Sequence, residues 1–89
     1  MEIWMEELLE DIKKHVGDAG ISHYQTVIIP QVLMDFYKML QGAGRDRIVS
    51  EEYRMEDGSF TIRLTGKKNN KGKSEVIKAE VVKNTGLMP

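Results

Sequence analysis

Cysteine is absent from the 89 residues, and proline, histidine and phenylalanine occur only twice each, tryptophan once. Without cysteine there is no disulfide and no thiolate metal site, and a reducing cytoplasm is the expected setting. No apolar run approaches the roughly 18 residues that a membrane-spanning helix requires. Glu2, Glu6, Glu7, Glu10 and Asp11 crowd the start of the chain, so it reads as neither a signal nor a transit peptide.

Catalytic signatures are equally scarce. Ser22, Ser50, Ser59 and Ser74 have no motif around them, and Gly42-Ala43-Gly44 is followed by no phosphate-loop lysine. Glu51 and Glu52 are neighbours on an expected strand, so they point to opposite faces and do not form a carboxylate pair. His15 and His23, with Asp11 and Asp18, straddle a glycine-rich break at no recognised metal-ligand spacing. No enzyme, cofactor or metal is expected.

What is present fits one small domain spanning residues 1–89, with 40% hydrophobic and 30% charged residues. The net charge of −1 conceals a split: residues 1–62 carry −6 and residues 63–89 carry +5. A chain so divided is able to meet partners of opposite sign at its two ends.

Three-and-four spacing of Trp4, Met5, Leu8, Leu9, Ile12 and Val16 predicts an amphipathic helix over Ile3–Val16. Lys13, Lys14 and His15 suit its negative C-terminal end. Gly17 is placed to end it in a left-handed conformation, with Gly17-Asp18-Ala19-Gly20 as a break. The next stretch supports two readings. Ser22 and Gln25 could form a capping box that opens one long helix. Against that stand the β-branched run Thr26-Val27-Ile28-Ile29 and Pro30, which costs about 3 kcal/mol inside a helix. The reading adopted is an extended Tyr24–Ile29 followed by a helix with Pro30 at its start.

The second helix is expected over Pro30–Gln41. Leu33, Phe36, Tyr37 and Leu40, widened by Val32, form its core face, and Met34 and Met39 lie on its flanks. So wide an apolar arc suits either burial on two sides or a partner surface.

Residues 47–83 read as a meander. Asp57-Gly58 signals a two-residue hairpin turn, which sets Met55 opposite Phe60, Arg54 opposite Thr61, Tyr53 opposite Ile62 and Glu52 opposite Arg63. The same register puts Glu51 on the core face opposite Leu64, a conflict that predicts a bulge or strand end near Ser50. In the last strand, Ser74–Lys83, Ile77, Ala79 and Val81 would face the core and Val76 and Val82 the outside. The tail 84–89 is expected to be mobile.

The fold class is therefore α+β, two-layer, in the order α-β-α-β-β-β, with a three- to four-stranded antiparallel sheet covered on one face by two helices. The expected function is non-enzymatic protein association, in the first place with a second copy of the chain, through Val32, Met34, Met39, Val76 and Val82. A second possibility is nucleic-acid binding by the loop 66–73, whose Lys67, Lys68, Lys71 and Lys73 could follow a phosphate backbone. The loop has no aromatic residue to stack on a base, and the rest of the chain is acidic. A third uses the acidic helix face, with Glu2, Glu6, Glu10 and Asp11, to meet a basic protein groove.

Thr26-Val27-Ile28-Ile29-Pro30 resembles the start of swapped-hairpin transition-state-regulator DNA-binding domains, but the basic residues those domains carry around it are missing here. In size, charge split and lack of motifs the chain also resembles small phage or mobile-element accessory proteins, including inhibitors of host defence nucleases. That likeness is compositional and assigns no residue.

Overall fold

The computed structural model describes residues 2–55 and 60–83. A helical run comes first: α1 (Ile3–His23), a π turn (Tyr24–Ile28) and α2 (Ile29–Gln41). Three strands follow, β1 (Val49–Arg54), β2 (Phe60–Lys68) and β3 (Ser74–Lys83), in one antiparallel sheet of spatial order β1-β2-β3. The helices cover one face of the sheet. The α+β, helix-over-sheet architecture expected from sequence is the one found.

Gly17 has φ 74° and ψ −178°, so the helix breaks there, at a φ that glycine adopts without strain. The expected four-residue break shrinks to this one residue, because the chain is helical again from Asp18. The two limbs then fold back on each other. Lys13 reaches Asp18 across the break at 3.2 Å, and Leu9 and Ile21 share the lining of one shallow groove. The reversal is tight at Gly20, where a Cβ would lie 2.8 Å from that of Val16.

The extended reading of Tyr24–Ile29 is overturned. The Ile29 N–H donates to the Tyr24 carbonyl, an i to i+5 bond, and the Thr26 hydroxyl donates to the Ser22 carbonyl at 2.8 Å. A π turn carries one extra residue and loosens the helix just ahead of Pro30. Pro30 therefore falls in the first turn of α2, where the missing N–H costs little. Local propensity pointed to strand; the apolar faces on either side, which both need the sheet, held the segment helical.

Residue pairing follows the register read from the sequence: Glu52 with Arg63, Tyr53 with Ile62 and Arg54 with Thr61. Met55 donates its N–H to the Phe60 carbonyl at 3.1 Å. The Asp57-Gly58 turn and the tail 84–89 lie outside the described residues. Of the two outcomes expected near Ser50, the strand end is the one found: β1 begins at Val49, and the β1–β2 ladder runs without a bulge to Val49 and Gly66. Glu51 does face the core side, but β1 is an edge strand and Glu51 is half-buried at the rim.

The irregularity is on the other side of β2. Between Thr65 and Gly66 the register with β3 shifts: Thr65 pairs with Lys78 but Gly66 with Val76. Ile77 is the extra residue. A bulge reverses the facing of everything beyond it, so Val76 packs against the core and Ile77 is 48% exposed, the reverse of the sequence expectation.

Among the described residues ten apolar side chains form the buried core: Leu8 and Ile12 from α1, Ile29, Val32, Phe36 and Leu40 from α2, and Met55, Phe60, Ile62 and Leu64 from the sheet segment. Gly66 belongs with them. A Cβ there would run into the Glu75 carbonyl oxygen and lie 2.9 Å from a Phe36 ring carbon, so α2 sits on β2 at a distance only glycine permits.

Candidate interaction surfaces

Three surfaces stand out. The first is an open groove of 630 Å³ between the start of α1 and the outer flank of α2. Met5, Pro30, Leu33, Met34 and Tyr37 line it, with Lys38 at its rim. It exists because α2 is apolar over two arcs. Ile29, Val32, Phe36 and Leu40 repeat at helical spacing and are buried on the sheet, while Pro30, Leu33, Met34 and Tyr37 form a second stripe turned towards α1. Leu33 and Tyr37 also touch the core, whereas Met34 stands out at 63% exposure. Burial pushes the Tyr37 phenol above its usual range, and the negative charge of Glu2 adds to the rise.

The second surface is the basic turn joining β2 to β3. Lys67 and Lys68 belong to β2, so the expected flexible loop 66–73 shortens to Asn69–Lys73. That segment is organised by Asn69. Its side-chain oxygen accepts from the N–H groups of Lys71 and Lys73 at 2.9 and 3.0 Å, its carbonyl accepts from Gly72 at 2.9 Å, and Gly72 takes φ 81°. Lys68 turns to the helix side and donates to the Gln41 carbonyl at the C-terminal end of α2, where a cation is favoured. Lys67 pairs in register with Glu75, and Lys71 and Lys73 are exposed. Arg45, which the sequence did not single out, reaches the turn at Gly72, 3.9 Å from where a Cβ would stand.

The third surface is acidic. Glu6, Glu7, Glu10 and Asp11, with Ile3, overhang Ala79 of β3 and line a groove of 550 Å³. Glu2, grouped with these acids from the sequence, lies apart from them and accepts the Trp4 indole N–H at 2.9 Å. Glu7 is the member that sequence reasoning missed; on the helix it shares a flank with Asp11, one turn on.

Comparison with family models, with curated proteins and with solved structures found no match for this chain.

The five expected interface residues separate. Val32 is core at 9% exposure, and Val76 packs against the core behind the bulge. Met34 and Met39 are exposed, on opposite flanks of α2, and Val82 is half-buried on the outer sheet face beside Thr61. That outer face is polar rather than apolar. Arg63, at the centre of β2, donates to Glu52 at 3.0 Å and to Glu80 at 3.0 Å, tying all three strands together. On the β1 side, the Tyr53 hydroxyl donates to Asp35 of α2 at 2.8 Å. Burial pushes the Tyr53 phenol well up, and the hydrogen bond to Asp35 pushes it further. Among the described residues no three of His, Asp and Glu converge as a metal set; Asp18 pairs with Lys13, and His15 donates from Nδ1 to the Asp11 carbonyl at 3.1 Å. No described helix is long and apolar enough to cross a membrane.

Proposed function

We propose that the chain is a small non-enzymatic association module whose working surface is the apolar groove between α1 and α2, and that a second copy of the chain occupies it. The observation that carries this is Met34. It lines the groove and also projects from it at 63% exposure. A two-fold axis beside Met34 sends each copy's side chain into the other's groove, the self-complementary arrangement that a closed dimer needs. The small core gives the same direction: ten buried side chains among the described residues are a modest supply, and a dimer enlarges it.

The basic turn is the weaker candidate. One of its four lysines is committed to Gln41, and Glu75 sits beside it, bonded to the Asn69 amide at 3.2 Å.

Sedimentation equilibrium over the micromolar range tests the proposal. The wild type is expected to sediment as a dimer and Met34→Lys as a monomer, its dissociation constant raised about 100-fold by a charge placed in an apolar contact. A wild type that stays monomeric at high micromolar concentration sinks it. So does a Met34→Lys protein that dimerises as well as the wild type.

A further inference from the structure

Beyond the α1–α2 groove, two independent features meet at β3. The first is an open sheet edge: β3 ends the sheet, and among the described residues no strand lies on its far side along Ser74–Lys83. An edge of this kind presents main-chain N–H and C=O groups to whatever lies beside it, as in strand addition. The second is the overhanging flank of α1, where Glu6, Glu7, Glu10 and Asp11 wall an open groove floored by the small Ala79. Within that wall the ion pair present is Asp11 with Lys14, at 3.5 Å.

We propose that this surface takes an extended basic segment of a partner protein, added antiparallel or parallel to β3 as a fourth strand. The main chain of β3 supplies pairing and the carboxylates of α1 supply selection. The bulge at Ile77 interrupts the edge, so pairing runs along Lys78–Lys83. Side chains of an added strand alternate between faces. Those on the helix side beside Ala79 meet the four carboxylates, while the far end of the stretch presents Lys83. Those on the other side meet Lys78 and Glu80, and Glu80 is already shared between Arg63 at 3.0 Å and Lys78 at 3.8 Å, so that side offers no unpaired carboxylate. The pattern selected is thus a base at every second position. A second copy of β3 is a poor occupant, because a two-fold axis along this edge would bring two such acidic walls together. A phosphate backbone is repelled for the same reason.

The test is fluorescence anisotropy with a labelled peptide of alternating Lys and Thr, about seven residues long. Two comparison peptides are needed: the same sequence N-methylated on the amides that would face β3, and one with Glu in place of Lys. Binding of the Lys–Thr peptide is expected at low salt and weakens as ionic strength rises. The N-methylated peptide, equal in charge, is expected to bind about tenfold more weakly, and the Glu peptide not at all. Glu6→Gln, Glu7→Gln, Glu10→Gln and Asp11→Asn combined should weaken the Lys–Thr peptide about tenfold while an unchanged melting temperature shows the fold intact. Met34→Lys should leave the affinity where it was, which separates this surface from the α1–α2 groove. No binding at low salt overturns the proposal. Equal binding of the N-methylated peptide also overturns it, since the attraction would then be diffuse charge without strand addition.

Discussion

The two faces of β2 are built on opposite plans. Its inner residues, Phe60, Ile62, Leu64 and Gly66, are all buried, and at the last of them backbone and ring atoms leave no room for a Cβ. Its outer residues, Thr61, Arg63, Thr65 and Lys67, are half-buried and polar, and the one strong feature among them is Arg63 between Glu52 and Glu80. The inner face tolerates no change of volume; the outer face has solvent as a substitute partner for every group it loses. The same alternation thus separates what determines stability from what decorates the surface.

The most severe way to break this contrast is Gly66→Ala. One methyl group driven against the Glu75 carbonyl and the Phe36 ring forces strand and helix apart, and a loss of about 3 kcal/mol is expected in urea unfolding. A smaller effect is expected at the rim between the faces. Tyr53→Phe removes the hydrogen bond to Asp35 and should cost about 1 kcal/mol at neutral pH. Because the folded state holds the Tyr53 proton more tightly than the unfolded chain does, this contribution is complete below pH about 10 and is lost as pH rises above it. Melting curves at neutral and strongly alkaline pH should therefore show the wild type and Tyr53→Phe converging as pH rises. The smallest effect belongs to the outer face. Arg63→Ala should lower the melting temperature least of the three, and its difference from wild type should shrink in high salt, because both bridges are solvent-accessible.

Much of this layout is legible in the sequence where periodicity is strong. Alternation in Phe60–Thr65 and the Asp57-Gly58 signal were enough to obtain the β1–β2 register, and the spacing of Leu8, Ile12, Phe36 and Leu40 gave the buried helix faces. Two features were hidden because each depends on one extra residue. The π turn at Tyr24–Ile28 lets Pro30 and a β-branched run remain helical, contrary to local propensity. The bulge at Ile77 exchanges the faces of Val76 and Ile77, which is why one expected interface valine belongs to the core. The candidate surfaces were read less completely. Met34 and the acids of α1 were visible as a wide apolar arc and a charge run. Arg45 beside Gly72, Glu7 beside Ala79 and Met5 across from Tyr37 are juxtapositions between elements distant in the chain, and no spacing rule reports them.

Deletion and insertion behave differently along the helical run because of the turn at Tyr24–Ile28. Each residue of an α-helix advances its successors by about 100° around the axis, so the additional residue in this turn acts as a phase correction between α1 and α2. Remove one residue from it, and the stripe carrying Leu33 and Tyr37 swings towards the sheet while Phe36 turns away. No strand residue would change, yet the stripe that lines the groove would be turned onto the sheet and the stripe that builds the core would be turned out to solvent. One residue of helical phase thus decides which side of α2 is interior.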